Sequence, residues 1–243
     1  MDNRGVTVSE VVLTNIKHYV GGVDLSGVYN RHALVMTADP VETTAFGDET
    51  REYLGGLIGV GSEHEGYWDY QVDSDLVANL AAAARNVTVA PSDTEGEIAY
   101  FFESIGTLFE QGAQVGEAYA FTASHQPTGT VTRGRILAIG TQTSSDTGTA
   151  FQLGAVAAGQ SVRASLHVTA VAGTSPEVDV TVQSDAAADM LTPTTQITFP
   201  TYTAIGGEIL SEAGAITDDW WAATWTLGAD TTSTTFMIAV GIS

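Results

Sequence analysis

Apolar and polar residues alternate along most of this chain with a period of two, the pattern of strands with one buried face. Val6–Leu13 and Ile16–Val20 are short valine-bearing runs of this kind, punctuated by Gly21-Gly22. Tyr29–Ala38 predicts the next strand, broken by Asp39-Pro40. Glu65–Val72 (EGYWDYQV) alternates aromatic and polar residues and predicts a half-buried strand. Val87–Ala90, Ile98–Phe102, Leu108–Phe109, Val115–Ala123 and Val131–Ile139 follow, set apart by glycine turns and by Gln126-Pro127-Thr128-Gly129. Glu103–Glu110 fits a short helix as well as a strand. One stretch has a clear helical period. In Asp73–Arg85, Leu76, Val77, Leu80, Ala81 and Ala84 share a face, with Ser74 as N-cap, Asp75 in the first turn, Arg85 in the last and Asn86 as the stop.

Beyond Gly140 the pattern changes. Thr141–Thr149 (TQTSSDTGT) is small, polar and free of aromatics, and reads as a linker. Ser161–Val171, Glu177–Gln183, Gln196–Tyr202, Glu208–Ser211, Trp220–Leu227 and Thr234–Ile242 are then threonine- and valine-rich runs at sandwich-like spacing. The expected fold is therefore mainly β. A β-sandwich or barrel with one flanking helix spans residues 1–140, a linker 141–150, and a second β-sandwich 151–243.

The stretch least at home in a core is Thr43–Leu57, TTAFGDETREYLGGL. Glu49, Arg51 and Glu52 are charged, whereas Phe46, Tyr53 and Leu54 are large and apolar. Gly47-Asp48 suits a turn, and Gly55-Gly56 frees the backbone again. Such a mixture predicts a projecting arm, over about residues 40–60, that finds its cover on a neighbour.

The same stretch carries a resemblance. A threonine pair (Thr43-Thr44), Phe46-Gly47-Asp48, Arg51-Glu52 and the ending Leu54-Gly55-Gly56-Leu57 resemble the major tail tube proteins of long-tailed, siphovirus-type viruses. Gly112–Phe121 (GAQVGEAYAF) and Arg133–Leu137 (RGRIL) extend the resemblance over roughly the first 140 residues. In that family the arm between early strands packs on the adjacent subunit and on the next ring, and a single helix flanks the sheets. The resemblance thus implies a virion structural protein without enzymatic activity or cofactor. It would assemble in the host cytoplasm as stacked rings, six chains or three with pseudo-six-fold symmetry, and conduct viral DNA as cargo. Its partners would be itself and other tail proteins at the tube ends. The contact residues it implies are Thr44, Phe46, Gly47, Asp48, Arg51, Glu52, Tyr53, Leu54, Gly55, Gly56 and Leu57. The second sandwich would either decorate the tube or act as a second tube-type domain.

Charge narrows the choice of partners. Acids outnumber bases 29 to 8, the net charge is −21, and Lys17 is the only lysine. A surface of that sign repels nucleic acid and anionic membrane. Three readings stay open: plain solubility, adaptation to high salt in a halophilic archaeal host, and an acidic conduit wall to which passing DNA does not stick. Cysteine is absent, so disulfides and thiolate metal sites are excluded. MDNRGVTVSEVV has no apolar core and predicts no signal peptide, and no run approaches the ~18–20 apolar residues of a membrane span.

Catalytic and metal motifs are missing. None of the five histidines, His18, His32, His64, His125 and His167, pairs at i, i+4 with a glutamate between, and all read as ordinary strand or surface residues. Asp69, Asp73 and Asp75 lack the glycine and terminal glutamate of a calcium loop and read as helix-start acids. Gly55, Gly56, Gly59 and Gly61 have no lysine beside them to make a phosphate loop. Trp220, Trp221 and Trp225 allow a second reading, a glycan-binding sandwich face on a virion or cell surface, against core filling by Trp221 and Trp225. Asn86-Val87-Thr88 is a sequon short enough to arise by chance.

Overall fold

Runs such as ILAI (136–139) and FMIAV (236–240) are apolar at every position, which marks strands covered on both faces. They lie at the centre of the fold. A computed structural model describes residues 16–44, 49–80 and 82–243, and it is almost entirely antiparallel strand. The first part comprises β1 (Lys17–Val20), β2 (Val23–Asp24), β3 (Tyr29–Glu42), β4 (Tyr53–Tyr67), α1 (Tyr70–Asn79), β5 (Arg85–Ala90), β6 (Ile98–Gly112), β7 (Ala120–Pro127) and β8 (Thr132–Gln142). Two short strands follow, β9 (Asp146–Thr147) and β10 (Phe151–Gln152). The rest is β11 (Ser161–Gly173), β12 (Val178–Asp185), β13 (Thr194–Thr198), β14 (Gly206–Ala213), β15 (Trp220–Leu227) and β16 (Thr231–Ile242). The strand at Val6–Leu13 predicted from the sequence lies outside the described residues.

One sheet of eleven strands runs in the order β14-β11-β16-β8-β6-β5-β1-β2. It branches at β6, because that strand is long. Its first residues, Ile98–Phe101, pair with β8, and Ser104–Gly112 pair with β7, which continues to β4 and β3. A second sheet of five strands, β10-β15-β12-β13 with β9 also on β15, stacks on the β8, β11 and β16 end. The core between the two sheets holds Leu137, Leu166, Trp221, Trp225, Phe236 and Ile238. A second cluster, with Val20, Leu76, Val87, Phe102 and Phe121, fills the β3–β7 end. The opposite face of the same central strands carries Phe101, Ile136 and Met237 in a third. Neighbours in sequence, Phe101 and Phe102 or Ile136 and Leu137, therefore serve different cores.

The sheet does not stop where the composition changes. β8, from the first part, pairs with β16 along Gly134–Gln142. The approach is close: a Cβ on Gly134 would stand 2.1 Å from the Val240 carbonyl oxygen. The stretch that reads as a linker, 141–150, is also held down. Trp225 Nε1 donates to the Ser144 carbonyl at 2.9 Å, and Gly148 N to the Ala223 carbonyl at 2.8 Å. Small polar residues here make an edge strand, β9, rather than a free tether.

Four local expectations need correction. The helix runs from Tyr70 to Asn79, not from Asp73 to Arg85, so Ser74 lies inside it. Arg85 and Asn86 open β5, where pairing with Ser104 and Glu103 of β6 outweighs their helix propensity. Glu65–Val72 is divided between the end of β4 and the start of α1. β3 does not break at Asp39-Pro40 but passes through it with a bulge between Ala38 and Pro40. Val115–Tyr119 is a loop, with β7 beginning at Ala120, while Glu103–Glu110 is strand throughout.

Candidate assembly surface

β3 and β4 form a long hairpin, of which only the root is built into the sheet. β4 pairs with β7 from Ser62 to Tyr67 alone. From Gly61 back to Tyr53 the only strand it pairs with among the described residues is β3, and Gln126 Nε2 of β7 donates to the Val60 carbonyl at 2.9 Å. Those nine residues carry the ribbon roughly 27 Å past the sheet, at about 3.4 Å per residue. The far end is closed by Thr43 N donating to the Glu52 carbonyl at 2.9 Å and Glu52 N to Thr44 Oγ1 at 3.1 Å.

Register explains what the ribbon displays. Residues directly opposite share a face, and the inward face runs His32/His64, Leu34/Ser62, Met36/Val60 and Ala38/Ile58. The alternation that fills the interior at the root thus continues outward after the interior has ended. Ile58 is left 72% exposed and Leu54 63%, with Met36, Val41 and Tyr53 about half exposed. Met36, Ile58 and Val60 make one wall of an open groove, and Tyr100, Val131 and Arg133 the other. Gly56 sits against the bulge, where a Cβ would meet the Asp39 carbonyl oxygen at 2.0 Å. Arg51 Nε lies 3.9 Å from Glu42 Oε1 across the hairpin, both side chains largely in solvent, and Arg31 pairs with Glu65 nearer the root. Exposed pairs of this kind contribute only ~0–1 kcal/mol. Among the residues implicated in contact, Thr44, Arg51, Glu52, Tyr53, Leu54, Gly55, Gly56 and Leu57 lie on this hairpin, while Phe46, Gly47 and Asp48 lie outside the described residues.

A second apolar surface stands at the other end of β4. Tyr67, Trp68, Tyr70, Val115 and Tyr119 are all exposed, Tyr70 by 78%. Trp68 N donates to the Tyr119 carbonyl at 2.8 Å, and the two rings lie 6.0 Å apart. The sequence pattern did not single out this group, because its members come from a strand end, a helix start and a loop.

The other candidates resolve as packing. Trp221 and Trp225 are buried, and their Nε1 atoms donate to the carbonyls of Gly154 and Ser144, each at 2.9 Å. The glycan-binding reading loses both rings to the core. Asn86 is buried and donates to the Leu166 carbonyl at 2.9 Å, so the sequon is closed to modification. Asp73 lies in the first turn of α1. Burial raises the Asp75 carboxyl, against the opposing pull of Arg85.

All five histidines lie on strands, and none is an exposed surface residue. His18, His64, His125 and His167 are buried and His32 is half-buried. Burial holds His32, His125 and His167 down to about 4, and His18 and His64 well below the usual range. His18, His32, His64 and His125 come from four strands and meet at the root of the hairpin. No spacing in the sequence announces this. The one available signal was that each occupies an inward position of an alternating strand.

No family model matches the chain, and no curated protein matches it. Among solved structures, the chain is similar to one in the virion of a native gene transfer agent particle. Identity is 15% and TM-score 0.40, over 49% of this chain and 93% of that one. A chain from the tail of an empty gene transfer agent particle with C6 symmetry gives 13% and 0.38, over 48% and 92%. A chain of the phage p2 baseplate in its activated conformation gives 8% and 0.35, over 92% and 97%. Identities and scores of this size do not carry function from one chain to another.

Proposed function

We propose that this chain is a virion structural protein that polymerises as stacked rings into a tail tube, the conduit for viral DNA. The observation that carries the reading is the free hairpin. It bears much of the stretch in which the tail-tube resemblance lies, and among the described residues its apolar side chains Met36, Leu54 and Ile58 stand exposed. An isolated two-stranded ribbon is marginally stable in water. Docked on a second copy, it gains burial worth about 25 cal/mol per Å² of apolar area.

The acceptor is the aromatic surface of the next copy, formed by Tyr67, Trp68, Tyr70 and Tyr119. Donor and acceptor stand at opposite ends of β4, roughly 47 Å apart along the strand at about 3.4 Å per residue. A contact between unlike patches repeats from copy to copy, which is the requirement for a stack rather than a closed pair. Around each ring, the edge of β3, which among the described residues pairs only with β4, takes a neighbour's strand and so removes an exposed sheet edge. The net charge of −21 keeps DNA mobile in the lumen as cargo. In the assembly Arg51, one of few bases, exchanges its weak pairing with Glu42 for an acid of the neighbour.

Negative-stain microscopy of purified protein tests this. The wild type should form rings or tubes. Arg51→Glu should give a folded protein by circular dichroism that stays monomeric. Tubes of normal length from Arg51→Glu would remove Arg51 from the contact, and a wild type without rings at any concentration would overturn the reading.

A further inference from the structure

Four imidazoles at the root of the hairpin face one another. His18 (β1) and His64 (β4) have ring centroids 4.4 Å apart, His32 (β3) and His64 5.0 Å, and His18 and His32 5.4 Å. One ligating nitrogen from each of these three lies within 4.8 Å of the others. His125 (β7) closes on the group, its Nδ1 2.8 Å from His64 Nε2. No carboxylate belongs to the cluster among the described residues.

The hydrogen bonding is incomplete in a specific way. A neutral imidazole carries one N–H and one lone pair, and both need partners when buried. His18 is wholly buried, and neither Nδ1 nor Nε2 has one. His64 Nδ1 is likewise buried and unpartnered. The Tyr29 hydroxyl, on a ring packed against both His18 and His64, is buried without a partner too. Ordinary packing does not place so many unsatisfied nitrogens on one point, since each costs its full desolvation.

We propose that His18, His32 and His64 bind a divalent transition-metal ion of the zinc class, with His125 as the residue that positions His64. Neutral imidazoles are the ligands such ions favour, at about 2.0–2.1 Å from the metal. Tetrahedral geometry then sets ligand nitrogens about 3.3 Å apart, so nitrogens now within 4.8 Å of one another close by at most about 1.5 Å on binding. His64 Nε2–H donates to His125 Nδ1, which leaves the His64 Nδ1 lone pair for the ion. A ligating histidine held through its other nitrogen is the usual arrangement of metal centres. The three ligands come from β1, β3 and β4, and β1 pairs with neither of the others. The ion is thus a cross-link that fixes the root of the hairpin to the sheet. Its role is structural, and it stands whether or not the chain builds a tube.

The test uses the full chain, freed of metal by a chelator and titrated with Co(II), then with Zn(II). The wild type should take up one ion per chain with the visible bands of nitrogen-ligated tetrahedral Co(II), and Zn(II) should displace it and raise the melting temperature. His32→Gln, whose folding is checked by circular dichroism, should lose the bands and bind about tenfold or more weakly. His167→Gln should keep them. Nitrogen-15 shifts of the histidine rings read the same site in the wild type, so the test does not depend on a variant that folds. Shifts at His18, His32 and His64 on Zn(II) addition support the assignment. Folded wild type that takes up neither ion overturns it, as do bands that persist in a folded His32→Gln.

Discussion

His167 shows what a single buried ring contributes. Its Nδ1 donates to the Gly21 carbonyl at 2.7 Å, and its Nε2 accepts from Thr88 Oγ1 at 2.7 Å. Both nitrogens of the neutral ring are satisfied, and burial disfavours the charged form. Burial pushes its pKa from 6.5 down to about 4, although the bond to Gly21 pulls the other way. The unfolded chain therefore binds the proton first. The stability from this ring is complete above about pH 6.5 and drains away as pH falls toward 4. The loss reaches up to about 1.4 kcal/mol per pH unit for one group. In urea unfolding between pH 7 and 4.5, His167→Gln should be the less stable protein at pH 7 and the less sensitive to acid. An unchanged pH slope would contradict this role. At this scale the sequence conveys little: a histidine on an alternating strand looks the same whether it meets solvent, a threonine or three other histidines. What decides among these is which strands come together, and that is set far away in the chain.

The β3–β4 hairpin carries most of the stretch that reads as a projecting arm. Charged and large apolar residues mix between Gly47 and Gly55-Gly56, and from Gly61 back to Tyr53 the only strand paired with β4 among the described residues is β3. The apolar face of the ribbon reaches back beyond the arm read from the sequence, because Met36 lies in the run Tyr29–Ala38 that reads as a strand. Ile58→Asp separates folding from assembly. Ile58 is too exposed to support the monomer, so its unfolding free energy should stay within about 0.5 kcal/mol. Sedimentation should nevertheless show the variant as monomer where the wild type sediments as rings. Equal assembly of the two would exclude the inward face of the hairpin from the contact. Other elements were misjudged for one shared reason. Propensity extends the helix to Arg85 and makes Thr141–Thr149 a linker, but pairing with β6 draws Arg85 into β5 and pairing with β15 draws Asp146 and Thr147 into β9.

Across the whole molecule, the β8–β16 pairing makes one sheet of what composition divides in two. The core of the second sandwich includes Leu137 and Ala138 of β8, so 151–243 on its own would lack part of its wall. Thermal unfolding should then be a single transition seen alike by tryptophan fluorescence, to which Trp68 of the first part and Trp220, Trp221 and Trp225 of the second contribute, and by far-ultraviolet circular dichroism. The charge of −21 adds a salt dependence, because mobile ions screen its self-repulsion. The midpoint should rise from dilute buffer to molar salt, whereas full stability in dilute buffer would argue against adaptation to a saline host. The central claim concerns the hairpin's need for a neighbour, and amide hydrogen exchange over residues 35–60 tests it most directly. In dilute monomer these amides should exchange quickly while those of β6 and β8 stay protected, and on concentration into rings they should become protected as well. Protection already complete in the monomer, or exchange that stays fast in the assembled particle, would contradict it.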